Sequence, residues 1–352
     1  MEIKVGGASE ALAAGLTLLL EAGIQETSRN GPVLVAPEPV MLTYTNPLDR
    51  VLLSPTRDAN PFFHLFEALW MLHGGHDITV PKFFNSAYGN YSDDGTTMWD
   101  AYGWRWRRFF GWDQLDGVIK ELSERPDSRR CVVSMWNAMP DYEGPLSQEF
   151  MGNYDKLPDA EVAAKGGKAV PCNTHIYFDC RGGVLNMTVC SRSEDAIWGC
   201  FGSDVVCFSI LLEYMAARIG VPVGVYRQFS NNLHVYTDKF NLDKLNAIIR
   251  ECASKQPRVS LGMRVFTDGE FDEDLNAFMV WAEYAARSTS PILMPPPSSL
   301  NSFFFAHVAV PMFNAWIARK RKLAFEAGQF VENICDNDWR QACDDWMKRR
   351  YK

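Results

Sequence analysis

Cys172 stands in AVPCNTHIYF, between a proline and a short polar run, just before an alternating apolar stretch. A cysteine so placed can be an apolar filler, half of a metal or disulfide pair, or a nucleophile, and free cysteine is among the most buried residue types. The chain carries 9 cysteines, an odd number, and no Cys-x-x-Cys pair, which removes the commonest metal and redox spacings. Glu67 lies in NPFFHLFEALWMLHGGHD among aromatic residues, either on the wet edge of a helix or as a carboxylate held for chemistry. Arg129 and Arg130 adjoin in DSRRCVVSMWNA, either solvated or a clamp whose planar donor forks suit an anion. Trp104, Arg105, Trp106, Arg107 and Arg108 interleave cations with rings as single-stranded nucleic-acid surfaces do. That cluster is short, however, and a formal net charge of -8 argues against a nucleic-acid coat while leaving room for a local anion pocket.

The elements that must position these groups follow from periodicity and turn residues. ASEALAAGLTLLLEAG is helix-like and closes on glycine, ETSRNGPV reads as a turn, and PVMLTYT and DRVLLS read as strands. The spacing of Phe62, Phe66, Leu69 and His73 predicts a helix stopped by Gly74-Gly75. QLDGVIKELSERP reads as a short helix before the double-arginine strand, and HIYFDCRGGVLNMTVCSRS as a hairpin turning on Arg181-Gly182-Gly183. DVVCFSILLEYMAARIG is a long apolar helix ending on glycine. VGVYRQFSNNLHVYT follows as a strand, then a polar helix in DKFNLDKLNAIIRECA, a strand in PRVSLGMRVF and C-terminal helices. The polar, glycine-rich stretch at about 141–169 reads as an inserted loop, and loops of that length tend to be lids or ordered excursions near a site. The whole is a mixed α/β pattern, read as a single domain over 1–352 with a C-terminal extension from about 275. Rossmann and phosphate-loop glycine spacings are missing, so neither explains an anion site.

With 352 residues and 47% hydrophobic content, the chain can bury a large core. MEIKVGGASEALAAGLTLLLEAG lacks a basic start, a clean apolar run and a cleavage site, and the unpaired cysteines suit a reducing compartment. No stretch is expected to approach the roughly 20 apolar residues of a membrane span. These readings predict a cytoplasmic protein, in the host cytoplasm if viral, with no membrane and no stable nucleic-acid partner.

Several segments together resemble the thymidylate synthase superfamily, which includes the deoxycytidylate and cytidylate hydroxymethylases. PDSRRCVVSMWN is similar to its double-arginine strand, Pro171-Cys172 to its nucleophile, SRSED with Trp198-Gly199 to the segment after it, and LHVY to its sugar-binding strand. The intervals agree as well: 20 positions from Cys172 to Arg192 and 30 from Asp204 to His234. The resemblance implies a twisted mixed sheet flanked by helices, paired into a homodimer through the sheet face. It also implies 5,10-methylenetetrahydrofolate as cofactor and no metal. Cys172 would add to carbon 6 of a pyrimidine, making carbon 5 nucleophilic toward a one-carbon unit. Glu67 and Tyr102 would organise water and relay protons, and Arg29, Arg192 and, across the dimer, Arg129 and Arg130 would hold the 5′-phosphate. Ser193, His234 and Tyr236 are carried over as nucleotide contacts, the last two to the sugar 3′-hydroxyl, and Trp99, Asp195 and Gly199 as cofactor contacts.

The departures from the family pattern bear on specificity. Asn173 follows the nucleophile where histidine is usual, and Ser191 stands where many synthases have glutamine. Asp204 occupies the position of the base-reading asparagine, provided one residue is inserted after Gly199 in WGCFGSDVV. A carboxylate accepts from the N4 amino group and from a protonated N3, whereas against uracil it faces O4 acceptor to acceptor. Asp204 is therefore assigned to catalysis and base recognition, and dCMP is the expected substrate. The ending DDWMKRRYK lacks the short apolar closing tail of methyl-forming enzymes, which favours water addition and a hydroxymethyl product. Reductive methylation of dCMP, CMP hydroxymethylation, thymidylate synthesis on dUMP and a non-enzymatic nucleic-acid-binding role are the alternatives.

Overall fold

The computed structural model describes residues 1–138, 141, 168–253, 270–288 and 294–351. The inserted loop expected at about 141–169 and the strand expected in PRVSLGMRVF lie largely outside them.

Alternating apolar residues form the central sheet. Its strands are β1 (Glu2–Val5), β4 (Val40–Tyr44), β5 (Val132–Ser134), β6 (Asn173–Arg181), β7 (Val184–Ser191) and β9 (Val223–Ser230), in the spatial order β1-β4-β9-β7-β6-β5. β1 with β4 and β7 with β9 run parallel while the other neighbours run antiparallel, so the sheet is mixed. The β6–β7 hairpin turns on Gly182 and Gly183, both at positive φ (65° and 77°), which a side chain would resist. A smaller sheet holds β2 (Ile24–Ser28), β3 (Gly31–Val35), β10 (Leu233–Tyr236) and β8 (Glu194–Asp195), in the order β2-β3-β10-β8.

Helices Ala8–Ala22, Pro61–Leu72 and Asp204–Ile219 fill the core behind the large sheet, with Leu12, Leu16, Phe62, Leu65, Phe66, Phe208 and Leu211 fully buried. Asn60 caps the second, its side chain accepting from Phe63 N at 3.2 Å. Gly220, at φ 84°, ends the third in a left-handed C-cap. Beyond it, helices Phe271–Arg287, Val310–Lys320, Ala324–Glu332 and Asn337–Lys348 build the C-terminal region, which joins the same core through Phe278, Phe313, Trp316 and Trp346. Phe62 meets Trp316 and Trp346 at centroid distances of 5.4 and 5.6 Å.

Four expectations are corrected. ETSRNGPV is not a turn alone, because its ends pair as β2 and β3. DRVLLS forms no strand: Arg50 is drawn inside to a buried ion pair with Glu213, and Leu52 and Ser54 are buried without ladder partners. VGVYRQFSNNLHVYT is two strands, broken at Asn231-Asn232 and sent to different sheets, because β9 pairs with β7 while β10 pairs with β3 and β8. A helical run of 24 residues, Ala196–Ile219, does reach membrane-span length, with a window of mean hydropathy 1.5, but 78% of that window is buried inside the protein. Its apolar residues serve the core.

Candidate active site

The hairpin register places Cys172 opposite Arg192. Asn173 pairs with Ser191, and the ladder extends one step further through Arg192 N donating to the Cys172 carbonyl at 2.9 Å. Arg192 then folds back on the Val170-Pro171 backbone, Nε donating to the Pro171 carbonyl at 2.9 Å and Nη2 to the Val170 carbonyl at 3.1 Å. Its Nη2 comes to 3.9 Å from Cys172 Sγ. Trp136 braces the same carbonyl, donating from Nε1 to Pro171 at 2.9 Å, and its ring lies 5.8 Å from the guanidinium. Burial pushes the Cys172 thiol up to about 12; Arg192 opposes the rise, while Asp100, Asp204 and Glu194 add to it. The resting group is a thiol, and attack requires removal of its proton. Asn173 is buried in the strand and donates from Nδ2 to the Cys190 carbonyl at 3.1 Å.

Glu67 is buried on the inner face of the Pro61–Leu72 helix and not on its wet edge, and its Oε2 has no partner among the described residues. Burial pushes its carboxyl up to about 7, against hydrogen bonds from Ser203 and Tyr88. A carboxyl poised near neutrality can both give and take a proton. Tyr102 reaches the same region because Gly103 lies directly on the Pro61–Leu72 helix: a Cβ there would sit 1.7 Å from the Met71 carbonyl oxygen. Burial holds the Tyr102 hydroxyl in its neutral form, with Cys172 and Asp204 adding to the effect.

Asp204 begins the Asp204–Ile219 helix. In the preceding Ala196–Ser203 run the backbone leaves helical geometry at Gly202, with φ -103° and ψ -107°, which kinks the chain just ahead of Asp204. Gly199 itself faces Asp204, since a Cβ would stand 3.1 Å from its Oδ2. Burial holds the Asp204 carboxyl well above the usual range, reinforced by Glu194, Glu67 and Asp195.

Asp195 caps this turn through Oδ1, accepting from Ile197 N at 2.9 Å and Trp198 N at 2.5 Å, while its Oδ2 is buried without a partner among the described residues. An orphan acceptor at that depth fits an N–H-bearing heterocycle such as the pterin of a folate. Parallel pairing sets His234 beside Asp195. Asn232 Oδ1 lies 2.9 Å from His234 Nδ1 and accepts from Ser193 Oγ at 3.4 Å. Tyr236 meets the His234 ring at 5.3 Å, and its hydroxyl accepts from Asn30 Nδ2 at 3.5 Å, which brings the exposed Arg29 turn to this end of β10.

The structure thus gathers Cys172, Arg192, Glu67, Tyr102 and Asp204 around one electrostatic centre, with Asp195, Ser193, His234 and Tyr236 along β8 and β10. Trp99 donates from Nε1 to Asp141 at 3.0 Å and packs against Trp104 and Phe109. Arg129 and Arg130 are not gathered: both are exposed at the start of β5, and Arg130 pairs with Glu121 at 3.2 Å. The Trp104–Arg108 run is no nucleic-acid surface, because Arg105 is fully buried in an ion pair with Asp141 at 2.7 Å. Sequence reasoning missed Glu194, which is buried and bonded by Gln228, and Asp100, whose carboxyl burial pushes up to about 6. Nothing in the local pattern distinguishes either from a surface acid.

Residues 16–284 match the thymidylate synthase family profile. The chain is similar to the deoxyuridylate hydroxymethyltransferase of Pseudomonas phage M6, at 37% identity over 99% of this chain and 94% of that protein. It is also similar to the deoxyuridylate hydroxymethyltransferase of Bacillus phage SP01, at 34% identity over 57% of this chain and 50% of that protein. A putative thymidylate synthase of Methanocaldococcus jannaschii is 31% identical over 40% of this chain and 54% of its own length.

Proposed function

The chain belongs to the thymidylate synthase family of one-carbon transferases, and from that premise we propose that it hydroxymethylates carbon 5 of dUMP. The observation that carries this reading is the similarity to the phage M6 deoxyuridylate hydroxymethyltransferase, which spans 99% of the chain and so covers every residue of the site. Uracil here replaces the cytosine expected from Asp204.

The Cys172 thiolate forms the S–C6 bond, and the electron pair released from the 5,6 double bond is held as an enolate over O4. When bound, 5,10-methylenetetrahydrofolate would supply the one-carbon unit that carbon 5 takes up, its carbon–nitrogen bonds breaking so that tetrahydrofolate leaves with the protons given up by carbon 5 and by the added water. Asp195, whose Oδ2 is unpartnered among the described residues, and Gly199 would hold the pterin end, with Trp99 as a further contact. Tyr102 orients the water that accepts the carbon 5 proton. Glu67, with a free buried oxygen and a carboxyl near 7, takes a proton from the water that adds to the one-carbon unit and passes it on toward the nitrogen of the leaving folate. Breaking the S–C6 bond restores the 5,6 double bond and the Cys172 thiolate. Dihydrofolate is not formed, because water takes the place of hydride.

The phosphate is held by Arg192 and Arg29 from one chain and Arg129 and Arg130 from a second copy. In support of a sheet-face dimer, β5 and β6 leave Val132 and Tyr177 37% and 44% exposed on the same face. A cytoplasmic setting fits the nine unpaired cysteines. Incubation with dUMP, dCMP or CMP plus methylenetetrahydrofolate, followed by mass analysis, tests the reading. It expects 5-hydroxymethyl-dUMP; thymidylate, or turnover of dCMP alone, overturns it.

A further inference from the structure

Asp204 lies at the meeting point of several buried acids. Glu67 approaches from the Pro61–Leu72 helix, and Glu194 and Asp195 from β8. Each of these neighbours has donors of its own. Glu194 is bonded by Gln228, the hydroxyls of Ser203 and Tyr88 lower the proton affinity of Glu67, and Asp195 is bonded by two backbone N–H groups with His234 and Arg57 nearby. Among the described residues Asp204 has none.

The cations in the region are committed. Arg57 donates from Nε to the Ile197 carbonyl at 3.0 Å, and Arg192 turns its Nε and Nη2 to two backbone carbonyls and the Cys172 sulfur; neither is among the charges that act on Asp204. The other titratable groups that sense Asp204 are neutral at pH 7: the hydroxyls of Tyr44, Tyr102 and Tyr226, and the thiols of Cys172, Cys200 and Cys207. A buried carboxylate with no donor, no cation and several acidic neighbours takes up a proton instead.

We propose that Asp204 reads the uracil edge as an un-ionised carboxylic acid, its O–H donating to O4 and its carbonyl oxygen accepting from N3–H. This rests on the proposed dUMP reading and deepens it. An un-ionised acid presents one donor and one acceptor, the pattern of a carboxamide, so the mismatch that pointed to cytosine disappears. Glu194 is the positioning residue for that proton: it faces Asp204 from β8 and disfavours a second buried charge.

Infrared difference spectra of the wild type against Asp204→Asn at neutral pH, with and without dUMP, test the proton directly. The expected result is a protonated-carboxyl C=O band in the wild type that shifts on dUMP binding. A carboxylate band in its place overturns the proposal. A second arm measures dUMP affinity by calorimetry as pH rises, with Asp204→Asn as the background for titration of phosphate and uracil. Once Asp204 ionises, the wild type should lose affinity by about tenfold per pH unit beyond that background. In Glu194→Gln the ionisation should begin at lower pH; an onset unmoved or raised would remove Glu194 from the proposal. A protonated Asp204 whose band shifts with dUMP, in an enzyme that turns dUMP into thymidylate, would sink the functional reading and leave this one standing. Confirmed hydroxymethylation of dUMP with an ionised Asp204 would do the reverse.

Discussion

Arg130 provides a test of whether the site is shared between two chains. Val132 pairs with Tyr177, so continuing the antiparallel register puts Arg130 opposite position 179, seven residues along β6 from Cys172. At about 3.4 Å per residue that is roughly 24 Å, beyond the reach of one side chain. Arg130 therefore touches a phosphate beside Arg192 only if it comes from a partner. Losing one charge-assisted contact costs about 1.5–3 kcal/mol, so Arg130→Ala should lower kcat/KM for the nucleotide by roughly ten- to 150-fold. Cys172→Ser should abolish turnover. When the two variants are mixed in equal amounts and exchange subunits, about half of the dimers are mixed, and each contains one site with both native groups. Activity should then recover to about a quarter of the wild-type value per chain, well above the sum of the parents. The assay is product formation after exchange has been verified by mass spectrometry of tagged chains. If exchange is complete and activity stays at the parental sum, each site is built within one chain and the cross-dimer assignment is wrong.

Other perturbations follow from the same geometry. With its thiol near 12, Cys172 in the free protein should react with iodoacetamide about tenfold faster for each pH unit up to 10, and a plateau below pH 9 would show a thiolate that the structure does not hold. Glu67 is neutral below about 7 and ionised above it, so the kcat profile should bend near 7. Glu67→Gln should remove the bend and lower kcat by roughly 10²- to 10⁴-fold; an unchanged profile would exclude it from proton transfer. Arg105→Ala leaves Asp141 as an uncompensated charge at a site with no solvent exposure and should destabilise the fold by about 3–5 kcal/mol, read by denaturant unfolding.

Where a residue's role depends on its own strand or helix, the sequence was sufficient. The β6–β7 hairpin was legible because two alternating runs flank Gly182-Gly183, and its register follows from the turn; that register sets Cys172 against Arg192. The Pro61–Leu72 and Asp204–Ile219 helices were legible from apolar spacing and a terminal glycine. Family intervals then singled out Cys172 among nine cysteines as the proposed nucleophile. DRVLLS misled because its apolar alternation is answered by burial against the Asp204–Ile219 helix, where Glu213 holds Arg50, and not by a strand partner.

The environment of Asp204 is the clearest case of what the tertiary structure alone decided. From the sequence, an aspartate at the base-reading position is a carboxylate and selects cytosine. Its proton affinity, however, is set by desolvation and by Glu67, Glu194 and Asp195, the first of which lies far away in the chain. The same holds for Glu67, which reads as a helix-edge carboxylate until the packing around it removes its water. Residue type, spacing and local periodicity are properties of a chain and survive in its sequence. Electrostatic environment is a property of groups brought together from distant positions in a medium of low dielectric, and it exists only once the chain has folded.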